Sequence, residues 1–412
     1  MILRLNRELS FNVIQSICTS FLAQALLIVS GILTARILGP TGRGEFALLT
    51  IIPLITAQIG MLGMPQGITH FVAKNPQMVS AIWNKLKVKY SIHTALVTAT
   101  SLILLYLISI LTSHSYMNYS YVIIIVTPSL FLYHFGLSFI QGLQKFNVFN
   151  ICRIISTLLF STLILLLYTC NIDKLSYLIF SWAAVQLLTG VIVLILAYKL
   201  IVNQKDQKKN ESAYSSFLRF GIIGFFGYSS PIQTFKLDQL FVSFFFTSNY
   251  LGYYVVSKSF VNFPIFISQG ITMVFYPLIS STSSPLSQKI FLWKSFIITV
   301  VINSTIVGVL YSYLPVLIKL FFGNQFSYSV TISRLLPIGS LFYSLQKVIG
   351  EGARGCGNPR LSTLSELSMY PLLAFFGLLI VQYDNVNSVA HVVLLANLAS
   401  LIVSIFLIRL NR

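Results

Sequence analysis

The stretch FNVIQSICTSFLAQALLIVSGILTA, residues 11–35, decides what kind of molecule this chain makes. It holds no Asp, Glu, Lys or Arg and exceeds the ~20 residues a helix needs to cross bilayer hydrocarbon. It is too long for the apolar core of a secretory signal, and no A-x-A-like cleavage site follows it. It therefore reads as a retained first transmembrane helix. Similar runs recur to the far end of the chain. They place twelve spans at 11–35, 45–71, 90–112, 121–141, 154–170, 176–198, 219–246, 253–279, 295–318, 330–349, 361–381 and 389–408. Composition agrees. Hydrophobic residues make up 56% of the 412 positions and charged residues 9%, where a soluble domain carries about 25% charged. A soluble chain so composed would lack the polar surface to cover itself. The expected class is an all-α polytopic membrane protein.

The net charge of +18 is a matter of topology. With the N-terminus set in the cytoplasm, 20 of the 27 Lys and Arg fall on the cytoplasmic side. Arg36, Arg43, Lys174, Lys319 and Arg334 fall on the other, and Lys236 and Lys258 lie inside spans. Positive residues gather on the cytoplasmic side of membrane proteins, so both termini are expected there. This bias accounts for the basicity without a nucleic-acid partner. The four Cys (Cys18, Cys152, Cys170, Cys356) form no CxxC pair, and the five His form no HExxH pattern. No metal site and no catalytic constellation are expected.

The hydrophilic stretch NQKDQKKNES (Asn203 to Ser212) divides the chain almost in half. It sets an N-terminal lobe at 1–202, a cytoplasmic linker at 203–213 and a C-terminal lobe at 214–412. QGIT occurs at Gln66–Thr69 and again at Gln269–Thr272. GRGEFALL (Gly42–Leu49) matches YLGYYVVS (Tyr250–Ser257) in place, with Gly44 and Gly252 each preceding a helix start. IQGLQKFNVFNICR (Ile140–Arg153) and ARGCGNPRLSTLSE (Ala353–Glu366) each link a fourth-type span to a fifth. Three matches in one order point to two related six-helix halves. An even number of helices per half gives a parallel repeat, and two such lobes are expected to flank a central cavity.

TFKLDQLFVSFFF (Thr234 to Phe246) carries two charges inside an apolar run. A charge at the bilayer centre costs about 2.5–3.5 kcal/mol on insertion scales and so faces protein or water. At ~1.5 Å per residue, Asp238 and Lys258 lie at similar depth on adjacent antiparallel spans, which permits an ion pair. On one continuous helix Lys236 would project about 200° away from Asp238. Two readings stay open: a buried pair that fixes helix orientation, and a site that handles substrate or ions. Arg43 and Glu45, bordering the first short loop, read as interfacial anchors, whereas Arg36 has a donor fork that suits phosphate. Glu366 can cap its helix, pair with Arg360, or titrate. Prolines permit bends, and Pro264 and Pro277 make the span at 253–279 the expected mobile element.

TARILGPTGRGEFALLTII, with LDQLFVSFFFTSNYLGYYVVSKSF and GARGCGNPRLSTLSEL, resembles a Wzx-like polysaccharide (O-antigen type) flippase. That family is a branch of the multidrug/oligosaccharidyl-lipid/polysaccharide exporter (MOP) superfamily. The shared features are the LGP-x-G-x-G-x-F turn, the Asp in the seventh span and the G-x-Y start of the eighth. The resemblance implies a MATE-like fold of two six-helix lobes in the bacterial inner membrane. It also implies movement of undecaprenyl-diphosphate-linked oligosaccharide, an O-antigen or capsule repeat unit, to the outer leaflet by ion-coupled alternating access. On this reading Arg36, Lys236 and Lys258 are candidates for the diphosphate, and Asp238 and Glu366 for coupling. The only small cofactor is the coupling ion, H+ or Na+. The partners are the lipid-linked substrate, membrane lipids and other polysaccharide assembly proteins. The chain has few intramembrane Arg residues for this family. The rival within the superfamily is a cation-coupled multidrug exporter, and the rival outside it a membrane polysaccharide polymerase.

Overall fold

The computed structural model describes all residues except 1, 75, 113–115, 203–220, 223–224, 227–229, 283, 381–384 and 411–412. The linker at 203–213 lies outside the described residues. Among those described there is no strand. The first helix, α1 (Ile2–Gly60), runs through the LGP turn but breaks at Gly39, whose φ of 65° and ψ of −175° suit a residue without a Cβ. There follow α2 (Met64–Lys74), α3 (Val79–Thr112), α4 (Ser120–Gly142), α5 (Phe146–Thr169) and α6 (Leu175–Val202). After the linker come α7 (Leu237–Phe245), α8 (Ser248–Ser257), α9 (Phe263–Ser281) and α10 (Pro285–Phe322). The chain closes with α11 (Ser329–Ser333), α12 (Leu336–Gly355), α13 (Pro359–Leu367), α14 (Met369–Ile380) and α15 (Asn387–Leu410).

Nine stretches among the described residues are long and apolar enough to cross a membrane. The twelve expected spans differ from these in three places. The first two form one broken helix. The span at 219–246 is partly outside the described residues, and its later portion is helical only from Leu237. The span expected at 330–349 corresponds to α12, which is too polar to count as an apolar crossing. Its buried positions include Gly339, Ser340, Ser344, Gln346 and Gly350, so it is shielded by neighbouring helices rather than by its own apolarity.

The chain forms two compact units, one of Met1–Leu38 with Leu48–Phe225, the other of Gly39–Ala47 with Phe226–Arg412. In the first unit α4 packs against α2, α3 and α6. Lipid tails are as apolar as leucine, so helices associate through close packing and polar contacts. Gly136 on α4 and Gly190 on α6 show this reciprocally. A Cβ on the first would lie 2.9 Å from the Val193 carbonyl oxygen, and on the second 2.6 Å from that of Ser129. Trp83 and Tyr90 of α3 complete the packing against Phe135, with ring centroids 5.0 and 4.4 Å away.

In the second unit α12 packs against α9, α10, α13 and α15. Asn303 of α10 is fully buried and stitches three helices together. Its Nδ2 donates to the Pro264 carbonyl (2.9 Å) and Ser268 Oγ (2.9 Å) on α9, and approaches Ser344 Oγ on α12 (2.8 Å). The expected continuous helix at 253–279 is interrupted. α8 ends at Ser257, a 3-10 turn spans Lys258–Phe260, and α9 begins with Pro264 in its first turn. Proline fits there because the first helical N–H groups have no intrahelical acceptor. Pro264 thus starts a helix instead of kinking one, while Pro277 lies inside α9.

Candidate functional site

The segment that carries Lys236 is held as a turn. The Thr234 and Phe235 N–H groups both donate to the Ser230 carbonyl, at 3.0 and 3.1 Å, and the Leu237 N–H donates to the Pro231 carbonyl at 2.9 Å. Lys236 ends the turn with φ 46° and ψ 39°, in the left-handed region, and α7 starts at the next residue. The helical offset of about 200° between Lys236 and Asp238 therefore does not apply. Lys236 is the N-cap, and Asp238 sits in the first helical turn, where the helix dipole favours an acid.

Asp238 is 1% exposed. Its Oδ2 accepts from Lys258 Nζ at 2.6 Å and from the Tyr254 hydroxyl at 2.7 Å. The ion pair that the depth reckoning permitted is thus present. Oδ1 is buried without a hydrogen-bond partner. Tyr254 and Lys258 stand one helical turn apart, and Lys258 Nζ lies 6.0 Å from the Tyr254 ring centroid. The α8 end is anchored by a reciprocal pair: Ser257 Oγ donates to the Ser329 carbonyl (2.8 Å) and Ser329 Oγ to that of Tyr253 (3.0 Å).

A second Lys–carboxylate pair, again with a tyrosine one helical turn before the lysine, lies in the same unit. Glu366 Oε1 accepts from Lys347 Nζ at 2.7 Å, in place of the Arg360 pairing weighed from sequence. Tyr343 precedes Lys347 by four residues, with its ring centroid 5.9 Å from Nζ. Glu366 Oε2, like Asp238 Oδ1, is buried without a hydrogen-bond partner. The charge-based topology places Lys347 among the cytoplasmic cations rather than at a site. A signal for it exists in the sequence, since YVVSK (254–258) and YSLQK (343–347) share the Y-x-x-x-K spacing.

Charge balance separates the two sites. Lys347 and Arg354 face Glu366 and Glu351, the latter paired with Arg354 at 2.7 Å, so that site is neutral. Around Asp238 stand Lys258, Lys236 and, within electrostatic reach of Lys236, Arg43. Asp238 thus faces two lysines. Among the described residues neither Lys236 nor Arg43 forms a salt bridge. Sequence reasoning placed Arg43 at an interface. The structure seats its segment, Gly39–Ala47, in the second unit, with the guanidinium carbon 5.7 Å from the Phe46 ring centroid.

The join is made by the two glycines of the sequence repeat. A Cβ on Gly44 would fall 1.7 Å from the Ser248 carbonyl oxygen, and one on Gly252 would fall 1.9 Å from that of Pro40. Backbone meets backbone with no room for a side chain. Arg36 lies in the first unit and is exposed.

Three solved structures share this fold. The lipid II flippase MurJ, in an inward closed conformation, matches with a TM-score of 0.76 at 17% identity, covering 96% of this chain and 87% of that one. An inward-facing multidrug resistance MATE family transporter of the MOP superfamily matches with 0.74 at 14% identity, covering 94% of each chain. A MOP superfamily transporter from Pyrococcus furiosus, its binding pocket described as reversed in polarity, matches with 0.65 at 14% identity, covering 97% of this chain and 94% of that one. No curated protein matches the chain significantly. The family model described as polysaccharide biosynthesis protein matches residues 10–283, well over half of the chain. With that match joined to the fold and the buried charges, the chain belongs to the polysaccharide biosynthesis protein family.

Proposed function

We propose that the chain is a flippase for undecaprenyl-diphosphate-linked oligosaccharide, an O-antigen or capsule repeat unit. It moves this substrate from the cytoplasmic to the outer leaflet of a bacterial inner membrane by ion-coupled alternating access, with both termini cytoplasmic. The observation that carries the reading is the excess of cations around Asp238 inside a membrane-spanning unit. Such an excess is costly unless an anion offsets it, and low dielectric strengthens each contact with a phosphate. The sugar cannot cross lipid unaided, while the polyprenyl tail can remain in the bilayer. Lys236 and Lys258 are assigned to the diphosphate, with Arg36 meeting it at another stage of transport, and Asp238 and Glu366 respond to the coupling ion. A drug exporter would also need acids open to a bulky cationic drug, which, unlike a proton, cannot share a carboxylate that is buried and paired. Here both candidate acids already hold an ammonium.

The test is complementation of a bacterial strain lacking its polysaccharide flippase, supplied with the glycan genes native to this chain. The lipid-linked precursor is then assayed on each leaflet. Relocation to the outer leaflet supports the reading. Correctly inserted protein that leaves the precursor on the inner leaflet overturns it in favour of the exporter.

A further inference from the structure

We infer that Lys85 and Lys89 of α3, with Lys199 of α6, hold the headgroup of an anionic phospholipid on the lipid-facing side of the first unit. The inference is independent of the flippase reading and needs only a chain embedded in a membrane. The leaflet is the one that the proposed orientation makes cytoplasmic.

Helix faces and depth place these lysines. α3 has 34 residues, about 51 Å at ~1.5 Å per residue, and so outruns the ~30 Å of bilayer hydrocarbon. Val88, Ile92, Leu96, Ile103 and Ile110 are each 57–61% exposed and share one face at ~3.6 residues per turn. From Val88 to Ile110 they extend over about 33 Å, one hydrocarbon thickness. Lys85 and Lys89 are exposed on that same face at its N-terminal end, whereas Trp83, Leu86 and Tyr90 are buried on the other side. α6 marks the depth independently. Tyr177 and Tyr198 are both more than half exposed and stand about 32 Å apart along the helix, as for aromatic belts at the two interfaces. The Tyr198 ring centroid lies 6.0 Å from that of Trp83, so this end of α3 is level with an interface. Helical side chains lean toward the N-terminus, which carries the ammonium of Lys89 back toward Lys85 and the headgroups. Lys199, next to Tyr198 and exposed, adds a cation in the last turn of α6.

The positive-inside rule chooses a side of the membrane for these lysines but not a helix face. Lys87, on another face of α3, donates from Nζ to Asn84 Oδ1 at 3.0 Å. Lys85 and Lys89 stand one turn apart on the lipid face, where like charges repel, and neither α3 nor α6 contains an Asp or Glu. A lipid phosphate between them offsets that repulsion through charge-assisted hydrogen bonds, with its acyl chains along Val88, Ile92 and Leu96.

The test is native mass spectrometry of the full-length protein in detergent, titrated with phosphatidylglycerol or with phosphatidylcholine of the same acyl chains. The binding constant of the first lipid is compared for wild type, Lys85→Gln, Lys89→Gln, the double Gln variant and Lys85→Arg/Lys89→Arg. Lys87→Gln is the control, an equal loss of charge on the same helix. These side chains are exposed, so the substitutions spare the packing. Wild type is expected to prefer phosphatidylglycerol. Each single Gln variant is expected to weaken that binding about fivefold, one basic residue's share near an anionic headgroup, with little change for phosphatidylcholine. Lys199→Gln moves in the same direction, while the Arg pair and the Lys87→Gln control keep the preference. Equal binding of the two lipids by wild type overturns the inference. So does a loss with Lys87→Gln as large as with Lys85→Gln, which would reveal general surface charge instead of a site. An unchanged constant in the double Gln variant also overturns it and would turn the patch over to a protein partner.

Discussion

Asp238 and Lys258 are each tolerable in the membrane because of the other. Removing one partner of a buried pair strands the remaining charge and typically costs about 3–5 kcal/mol, whereas replacing both with apolar or neutral groups costs far less. Asp238→Ala should therefore lower the melting temperature in detergent more than the double variant Asp238→Asn/Lys258→Met. Equal melting of the single and double variants would show that the pair carries no coupling energy. The pair itself was legible in the sequence, because counting residues from a shared turn placed both charges at one depth. The position of Lys236 was not. Its left-handed backbone follows from the Ser230 and Pro231 hydrogen bonds, which a helical periodicity over 219–246 cannot register. The Lys347–Glu366 pair escapes sequence reasoning for a different reason. Lys347 falls at the end of the span expected at 330–349, where it reads as one more cytoplasmic cation.

At the scale of elements, close approach is set by glycine, and the structure supplies its own controls. Gly44→Ala or Gly252→Ala drives a Cβ to within 2 Å of a backbone carbonyl oxygen, so a helix start must shift. Gly270 in α9 and Gly308 in α10 face nothing within 4 Å. Alanine there should be neutral or stabilise by about 0.5–1 kcal/mol, through the lower helix propensity of glycine alone. Thermal melts of the four variants should fall into these two classes; four similar shifts would mean that the backbone contacts are not tight. Asn303→Ala tests a different joint. It removes the donor that links α10 to α9 and α12, at an expected cost of about 1–3 kcal/mol. Hydrogen exchange should rise locally in the first turns of α9, around Pro264 to Ser268. Unchanged exchange there would make Asn303 a bystander. Helix periodicity foretold that α9 and α10 exist, but hydrogen bonds made between residues so distant in sequence leave no periodic trace.

For the whole molecule, membrane class and helix content followed directly from composition and apolar run length, since the bilayer sets both. Orientation is open to a direct check with native cysteines. Cys170 and Cys356 are both exposed, at opposite ends of the charge-based topology. A membrane-impermeant maleimide applied to spheroplasts should label Cys170 at once and Cys356 only after the membrane is opened. The reverse pattern would invert the orientation. One further consequence follows from the nine residues Gly39–Ala47 being part of the second compact unit. That unit is not encoded by a contiguous stretch of gene. A half-chain starting after the linker lacks one of its own turns, leaving Gly252 facing an empty slot. Co-expression of two half-chains split at 203–213 should give a stable C-terminal half only when the N-terminal fragment retains this turn. Any recombination between homologous genes that exchanges halves at the linker would also swap in a foreign copy of that turn.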